Sequence, residues 1–209
     1  MAELAQNLGL PYHPNRCARS TAYEGRELTH RLQLFDTPES LAQSVTQFLF
    51  EGYERGENIL IAAKRRNLDA ILTALEERGC FSQDFDRQRL IALDATELLT
   101  HLRRHGVVDA LRFEAEIGTL VERLSESGPL RVYGEIVEVL AEEGDFDGAV
   151  RLETLWNGLS QRYPFTLMCG YSSAHFTTDT SALRRICETH NHISTTSDDT
   201  LGSYLLARA

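Results

Sequence analysis

Short apolar runs alternate with amphipathic helical patterns along most of this chain, and no other feature constrains its fold as strongly. Five runs have the composition of buried β-strands, at residues 31–35, 58–62, 89–93, 130–133 and 165–169. Strands that are separated by helices usually pair in parallel, because each helix returns the chain to the same edge of the sheet. The pattern predicts an α/β domain of three layers, with a mostly parallel five-stranded core sheet between helices.

The segments between these runs carry apolar residues at helical spacing. They predict helices that begin after Thr37 and near residues 67, 95, 109, 135, 147 and 180. Thr37 followed by Pro38 is typical of a helix start, and Asn67 is predicted to cap the second helix. A last strand is predicted near residues 201–206, where it would add an edge strand to the core sheet.

Composition places the chain among single-domain globular proteins. Of its 209 residues, 42% are hydrophobic and 25% are charged, which is enough apolar material for a sizeable core. Residues 1–25 have weak periodicity and are predicted to form an N-terminal extension, with one domain over residues 26–209. The chain has neither a membrane-spanning apolar run nor a secretory pattern, so we expect it in the cytoplasm. The net charge of −10 disfavours direct binding to nucleic acid or to anionic lipid.

The turn after the first predicted strand does not have the composition of a nucleotide-binding loop. Residues 36–41 read DTPESL, with no glycine, no lysine and two carboxylates. A phosphate loop needs glycines, so that backbone amides can surround the phosphates, and a lysine that neutralises their charge. We therefore do not expect nucleotide hydrolysis.

Three residues at predicted strand ends carry the chemistry most suited to a site. His30 precedes the first strand and Cys169 lies in the fifth, so the two could hold a polar ligand group, react with an electrophile or share a metal. The alternative is that Cys169 is a small core residue and His30 a strand-edge residue. Glu135 follows the fourth strand, where it would either stabilise a helix start or lie buried as an acid or hydrogen-bond donor.

Two further groups are candidates on the predicted helices. Glu153, Trp156 and Asn157 share one helix face, either as a core anchor or as the wall of an apolar pocket. Cys187, His190 and His192 have a loosely metal-like spacing, but a structural zinc site normally has four ligands and no second close pair is present. We expect neither a bound metal nor a cofactor.

Five segments resemble a known family when they are taken together in order. They are HRLQLF at 30–35, LIALDA at 90–95, RVYGE at 131–135, LETLWN at 152–157 and PFTLMCGY at 164–171. Their order and spacing resemble the MEDS domain, the methanogen/methylotroph DcmR-type sensory domain, over residues 28–192. His30 and Cys169 match the family's characteristic histidine and cysteine. Gly170 and Ser172 stand where the family usually has alanine and proline, and Ile136 where it often has methionine.

The resemblance implies a RecA/KaiC-like fold with a degenerate P-loop, with its five core strands in the order 5-1-4-3-2. It also implies a sensory domain that acts in signal transduction. Small hydrocarbon-derived ligands are expected, together with a separate histidine kinase or DNA-binding regulator as partner, because few residues follow the matched region.

The function predicted from these features is recognition of a small, largely apolar ligand, without catalysis. We expect His30 and Glu135 to orient a polar group, and Cys169 to be a soft contact or a redox-sensitive thiol. The complete predicted ligand-binding set is His30, Phe35, Glu135, Trp156, Asn157, Cys169 and Tyr171. Two other functions stay open, namely a protein-interaction module on a degenerate ATPase scaffold and a small-molecule enzyme that uses Glu135 or Cys169.

Overall fold

The computed structural model describes residues 29–81, 88–178 and 180–208. The predicted N-terminal extension lies outside these residues. One sheet holds six strands: β1 (His30–Phe35), β2 (Asn58–Ala63), β3 (Leu90–Asp94), β6 (Leu130–Gly134), β7 (Phe165–Ser172) and β8 (His192–Thr195). A two-stranded antiparallel ribbon holds the other two: β4 (Arg103–Arg104) and β5 (Val107–Val108).

Helices connect the strands of the large sheet. The α-helices are α1 (Pro38–Glu54), α2 (Arg65–Glu77), α3 (Ala95–Leu102), α4 (Ala110–Phe113), α5 (Thr119–Ser127), α6 (Ile136–Glu142), α7 (Phe146–Ser160), α8 (Thr180–Cys187) and α9 (Thr200–Leu206). A π-helical turn (Glu114–Gly118) joins α4 to α5, and a 3-10 helix (Ser173–Phe176) follows β7. Among the described residues, no helix combines the length and the apolar character needed to cross a membrane.

All pairings in the large sheet are parallel, so the predicted α/β architecture is confirmed. The prediction of a strand at residues 201–206 is wrong, because this segment forms α9. The Asp199 carboxylate accepts a hydrogen bond from the Gly202 amide at 2.6 Å and so caps that helix. The sixth strand is β8 instead, which pairs with β1 at the sheet edge.

The strand order differs from the one that the resemblance implied. The observed order is β3-β2-β6-β7-β1-β8, which places the five predicted strands in the order 3-2-4-5-1. The fourth predicted strand, β6, lies between β2 and β7, whereas the implied order put it between the first and third strands. All five residues of β6 are buried, as expected for a strand that helices cover on both faces at the centre of a sheet.

Alternate residues of the strands supply two separate cores, one on each face of the sheet. Leu32, Val132 and Leu167 belong to the core under α3 to α8, which is the larger of the two. Ile59, Ile61 and Met168 belong to the core under α1 and α2. The protein is therefore a three-layer α/β structure. Successive side chains along a strand point to opposite faces of the sheet and so contact different sets of helices.

Local capping explains where two of the helices begin. Thr37 accepts a hydrogen bond from the Ser40 amide, which confirms it as the cap of α1, with Pro38 in the first turn. Asn67 is not a cap, because α2 begins at Arg65 with Lys64 at the cap position. The Asn67 side chain is instead buried and donates to Glu135.

Candidate functional site

His30, the first residue of β1, and Cys169, within β7, face the same layer of helices. His30 pairs with Leu167, and Leu32 pairs with Cys169, so the side chains of His30 and Cys169 project from the same face of the sheet. Helix α7 packs over this face and contributes Glu153, and the segment after α8 contributes His190. The fold thus gathers four polar side chains from four separate segments in its interior.

Glu153 is the centre of this buried cluster. Its Oε2 lies 3.1 Å from His30 Nε2 and 3.4 Å from Cys169 Sγ. Its Oε1 lies 3.4 Å from His190 Nε2 and accepts a hydrogen bond from the Tyr171 hydroxyl at 2.9 Å. The Glu153 and Cys169 side chains are 0% exposed, so these contacts exist without competing solvent.

Asn157, one helical turn beyond Glu153, fixes the orientation of the His30 ring. Its side-chain amide donates to the Thr189 carbonyl at 2.8 Å, which leaves Oδ1 as the acceptor that faces His30 Nδ1 at 2.9 Å. A proton on Nδ1 completes this hydrogen bond. His30 Nε2 then points at Glu153 and Cys169, either with a second proton or with a lone pair.

Burial and the Glu153 charge set the protonation of the cluster. Burial opposes protonation of His30, yet its hydrogen bond with Glu153 and the attraction of that carboxylate raise the pKa of His30. Burial alone would raise the pKa of Glu153, but His190 and His30 hold it well below its usual range. Burial and the adjacent Glu153 charge raise the pKa of the Cys169 thiol well above its ordinary value. The cluster therefore holds an ionised Glu153 carboxylate between His30 and His190, next to a protonated Cys169 thiol.

This electrostatic environment is unsuited to a cysteine nucleophile. Cys169 Sγ lies 3.5 Å from His30 Nε2, and Asn157 orients the ring from the far side, which resembles a cysteine–histidine–asparagine arrangement. A nucleophilic cysteine needs a lowered pKa and access to substrate. Here the Glu153 carboxylate, 3.4 Å from the sulfur, raises the pKa, and the thiol is fully buried.

A small cavity of about 100 Å³ lies beside the cluster, at the amino ends of β1 and β7. Its apolar walls are Trp156, Phe165 and Leu167, and its polar walls are Thr29, His30, Asn157, Ser160 and Asn191. Water occupies about 30 Å³ per molecule in the liquid, so the cavity suits a ligand of only a few non-hydrogen atoms. Its walls combine apolar surface with hydrogen-bonding groups, as ligand pockets typically do.

Of the seven residues in the predicted ligand-binding set, His30, Trp156 and Asn157 line this cavity. Cys169 and Tyr171 lie in the adjoining cluster, in contact with Glu153. Phe35 does not join them. It lies in the core under α1 and α2, because it is an odd number of residues from His30 along the strand and so projects from the opposite face.

Glu135 belongs to a different network, at the carboxyl ends of the strands. It accepts hydrogen bonds from the Tyr133 hydroxyl at 2.6 Å, the Lys64 amide at 2.8 Å and the Asn67 side chain at 3.0 Å. Burial raises the pKa of Glu135, although these hydrogen bonds oppose the shift. These hydrogen bonds join the end of β6 to the start of α2.

Sequence reasoning gave too little weight to two residues of the cluster. Glu153 was grouped with Trp156 and Asn157 on one helix face. Their spacing at i, i+3 and i+4 was the signal that polar side chains of this helix face the core together with Trp156. His190 was considered only with Cys187 and His192. In the structure, the His190 side chain is buried at 0% exposure against Glu153, whereas His192 is exposed on β8.

Comparison with known proteins identifies the family of the chain. No curated protein matches the chain. A family model described as "MEDS: MEthanogen/methylotroph, DcmR Sensory domain" matches residues 29–191, a span that contains His30, Glu153, Cys169 and His190. Because this match covers most of the chain, the protein belongs to the MEDS family of sensory domains.

Proposed function

We propose that this protein is a signal-transduction sensor that binds a small, largely apolar molecule in the cavity beside His30 and relays its presence to a separate kinase or transcription regulator. The observation that carries the proposal is the cavity itself. It is small, it is lined by Trp156, Phe165 and Leu167, and it adjoins a buried polar cluster. An apolar ligand there gains from burial, while His30 and Asn157 supply a polar contact that selects its orientation.

The contacts of the cavity walls suggest how occupancy reaches the surface. The His30 amide donates to the Asn191 side chain at 2.9 Å, and the His30 carbonyl accepts from the Asn191 amide at 3.1 Å. Asn157 holds the Thr189 carbonyl. These contacts tie the cavity to the segment that enters the edge strand β8, where Ile193 is 39% exposed. A ligand that moves His30 or Asn157 would therefore displace an edge that is accessible to a partner.

Trp156 provides a direct assay, since it is the chain's single tryptophan and forms a wall of the cavity. Titration with short-chain alcohols and haloalkanes is expected to change Trp156 emission in a saturable manner and to raise the melting temperature. Leu167→Phe, which adds volume to the cavity wall, is expected to abolish the change in emission. Leu98→Phe, on the far side of the same core from the cavity, is the matched control and should leave it intact.

A double variant tests the polar contacts. His30→Ala combined with Cys169→Ala is expected to fold and to bind the same molecules more weakly. If the folded double variant binds with unchanged affinity, His30 and Cys169 have no role in recognition. If no small molecule changes the emission of the wild-type protein, the sensor proposal fails, and a protein-interaction module on the same scaffold becomes the better account.

A further inference from the structure

The buried cluster has the composition of a metal centre. His30, Glu153, Cys169 and His190 each offer one ligand atom, and these four atoms lie within 4.8 Å of one another. They come from β1, α7, β7 and the segment after α8, so the tertiary fold alone brings them together. Imidazole nitrogen, thiolate sulfur and carboxylate oxygen are the donors that zinc takes in proteins.

Several of the donor atoms are separated by distances close to those between neighbouring ligands of a tetrahedral site. With metal–nitrogen bonds of about 2.0 Å and metal–sulfur bonds of about 2.3 Å, neighbouring ligand atoms lie about 3.3–3.8 Å apart. Cys169 Sγ lies 3.5 Å from His30 Nε2 and 3.4 Å from Glu153 Oε2, while His190 Nε2 lies 3.4 Å from the other carboxylate oxygen, Oε1. His30 Nε2 and Glu153 Oε2, at 3.1 Å, are slightly closer, and with one atom taken from each residue the four donors lie within 4.8 Å of one another. Binding an ion would therefore require the Glu153 carboxylate to turn and the widest donor pair to close.

Both histidines are held in the tautomer that a metal requires. His30 Nδ1 faces the Asn157 Oδ1 acceptor at 2.9 Å, and His190 Nδ1 faces the Ile186 carbonyl at 2.7 Å. Each acceptor requires a proton on Nδ1, and in a neutral imidazole this leaves the lone pair on Nε2. Second contacts of this kind are a regular feature of histidine ligands in metal sites.

The buried Nε2 atom of His190 makes only a long contact within the cluster. Within the described part of the chain, this atom has no hydrogen-bond partner, although the Glu153 carboxylate lies 3.4 Å away. Buried polar atoms in folded proteins normally have a partner, and an orphaned one can indicate an ion. The ring's other nitrogen faces the Ile186 carbonyl, so Nε2 is the atom that faces the Glu153 carboxylate and the interior of the cluster.

Charge balance also favours a divalent ion. A buried charge is costly unless opposite charges compensate it. One carboxylate from Glu153 and one thiolate from Cys169 neutralise a divalent cation, while the two imidazoles bind without charge. The Cys169 thiol gives up its proton to solvent as the sulfur–metal bond forms.

We propose that His30, Glu153, Cys169 and His190 bind one divalent transition-metal ion of the zinc type. The thiolate and imidazole donors select against magnesium and calcium, which prefer oxygen ligands. The ion would reach the cluster from the cavity side, because His30 lines both. The metal proposal does not require that the cavity accept an apolar ligand, although His30 contributes to both places.

Cobalt titration of the untagged, metal-stripped protein tests the proposal. One equivalent of Co²⁺ is expected to produce the thiolate charge-transfer band in the near ultraviolet and the intense visible bands of tetrahedral cobalt. Zn²⁺ should then remove both sets of bands by displacement. A wild-type protein that shows no charge-transfer band with stoichiometric Co²⁺ would overturn the proposal without any variant being needed.

Variants identify the ligands. Cys169→Ser is expected to lose the charge-transfer band, and His190→Gln to lose stoichiometric binding, with folding checked by circular dichroism. Cys187→Ser is the matched control, because Cys187 is half-buried outside the cluster, and its spectrum should equal that of the wild type. Asn157→Leu, which removes the acceptor of His30 Nδ1, should weaken cobalt binding roughly 10- to 100-fold. A band that persists in Cys169→Ser, or disappears in Cys187→Ser, contradicts the assignment.

Discussion

Trp156 should contribute more to stability than a typical core side chain, because it is both a core anchor and a cavity wall. It is 2% exposed and contacts Phe113 and Phe165 edge to face, with ring centroids 5.3 Å and 5.9 Å away. Replacing a buried tryptophan with alanine costs about 3–5 kcal/mol. Each aromatic contact adds about 0.5–1.5 kcal/mol. We expect Trp156→Ala to lie at the upper end, at about 4–5 kcal/mol.

Urea unfolding followed by circular dichroism measures this cost, since the variant has no tryptophan fluorescence. In a thermal melt, at about 2–4 °C per kcal/mol for a chain of this size, the melting temperature should fall by roughly 8–20 °C. The slope of the urea transition should stay the same, because the variant remains two-state with a similar buried surface. A cost below about 2 kcal/mol would refute the account of Trp156 as a packed anchor.

Phe35→Ala is the matched control for this variant. Phe35 is also buried, at 4% exposure, but it lies on the opposite face of the sheet. Its loss should cost a comparable 3–5 kcal/mol by the same rule. Trp156→Ala enlarges the cavity beside His30, so this variant should be restabilised by a larger apolar molecule such as indole. A Trp156→Ala protein that indole does not stabilise would contradict the location of the cavity.

Three further predictions concern caps and buried charges. Thr37→Ala removes the α1 cap and should cost about 1 kcal/mol in urea unfolding. The hydrogen bond with Glu138 raises the pKa of His175 above 6.5 in the folded protein. The pairing of His175 with Glu138 therefore stabilises the fold fully below pH 6.5, and this stabilisation is lost as the pH rises through the pKa of the folded state. His175→Gln should therefore be more destabilising near pH 6 than near pH 9, and the opposite trend would refute the pairing. Burial raises the pKa of Glu135 above 4.5, so ionisation of this carboxyl destabilises the folded state as the pH rises. The free energy of unfolding of Glu135→Gln should therefore increase relative to that of the wild type between about pH 4 and pH 8.

The fold was largely predictable because its signals are local. Each core strand is a short apolar run, and Thr37 caps α1 through a hydrogen bond only three residues along the chain. The strand order was not predictable from local signals, since it depends on how the connecting helices pack on the two faces of the sheet. Residues 201–206 were predicted to form a strand, but the Asp199 cap stabilises a helix there.

The site was predictable in part. His30 and Cys169 were singled out by residue type and by family resemblance, and they meet although 139 residues separate them. Phe35 was assigned to the same pocket, but strand alternation sends it to the other face. Glu153 and His190 gain their meaning only from tertiary contacts, because a carboxylate on a helix face and a histidine after a helix are common on protein surfaces. Their burial against His30 is what turns them into parts of a site.

The location of a bound apolar molecule tests the central claim most directly. Crystals soaked with bromoethane, which has few non-hydrogen atoms and an anomalous scatterer, would show where the protein accepts such a ligand. The account predicts a bromine peak in the cavity between Trp156 and Leu167, beside His30. A bromine peak only elsewhere, such as the polar groove lined by Ser44, Arg78 and Thr196, would contradict it.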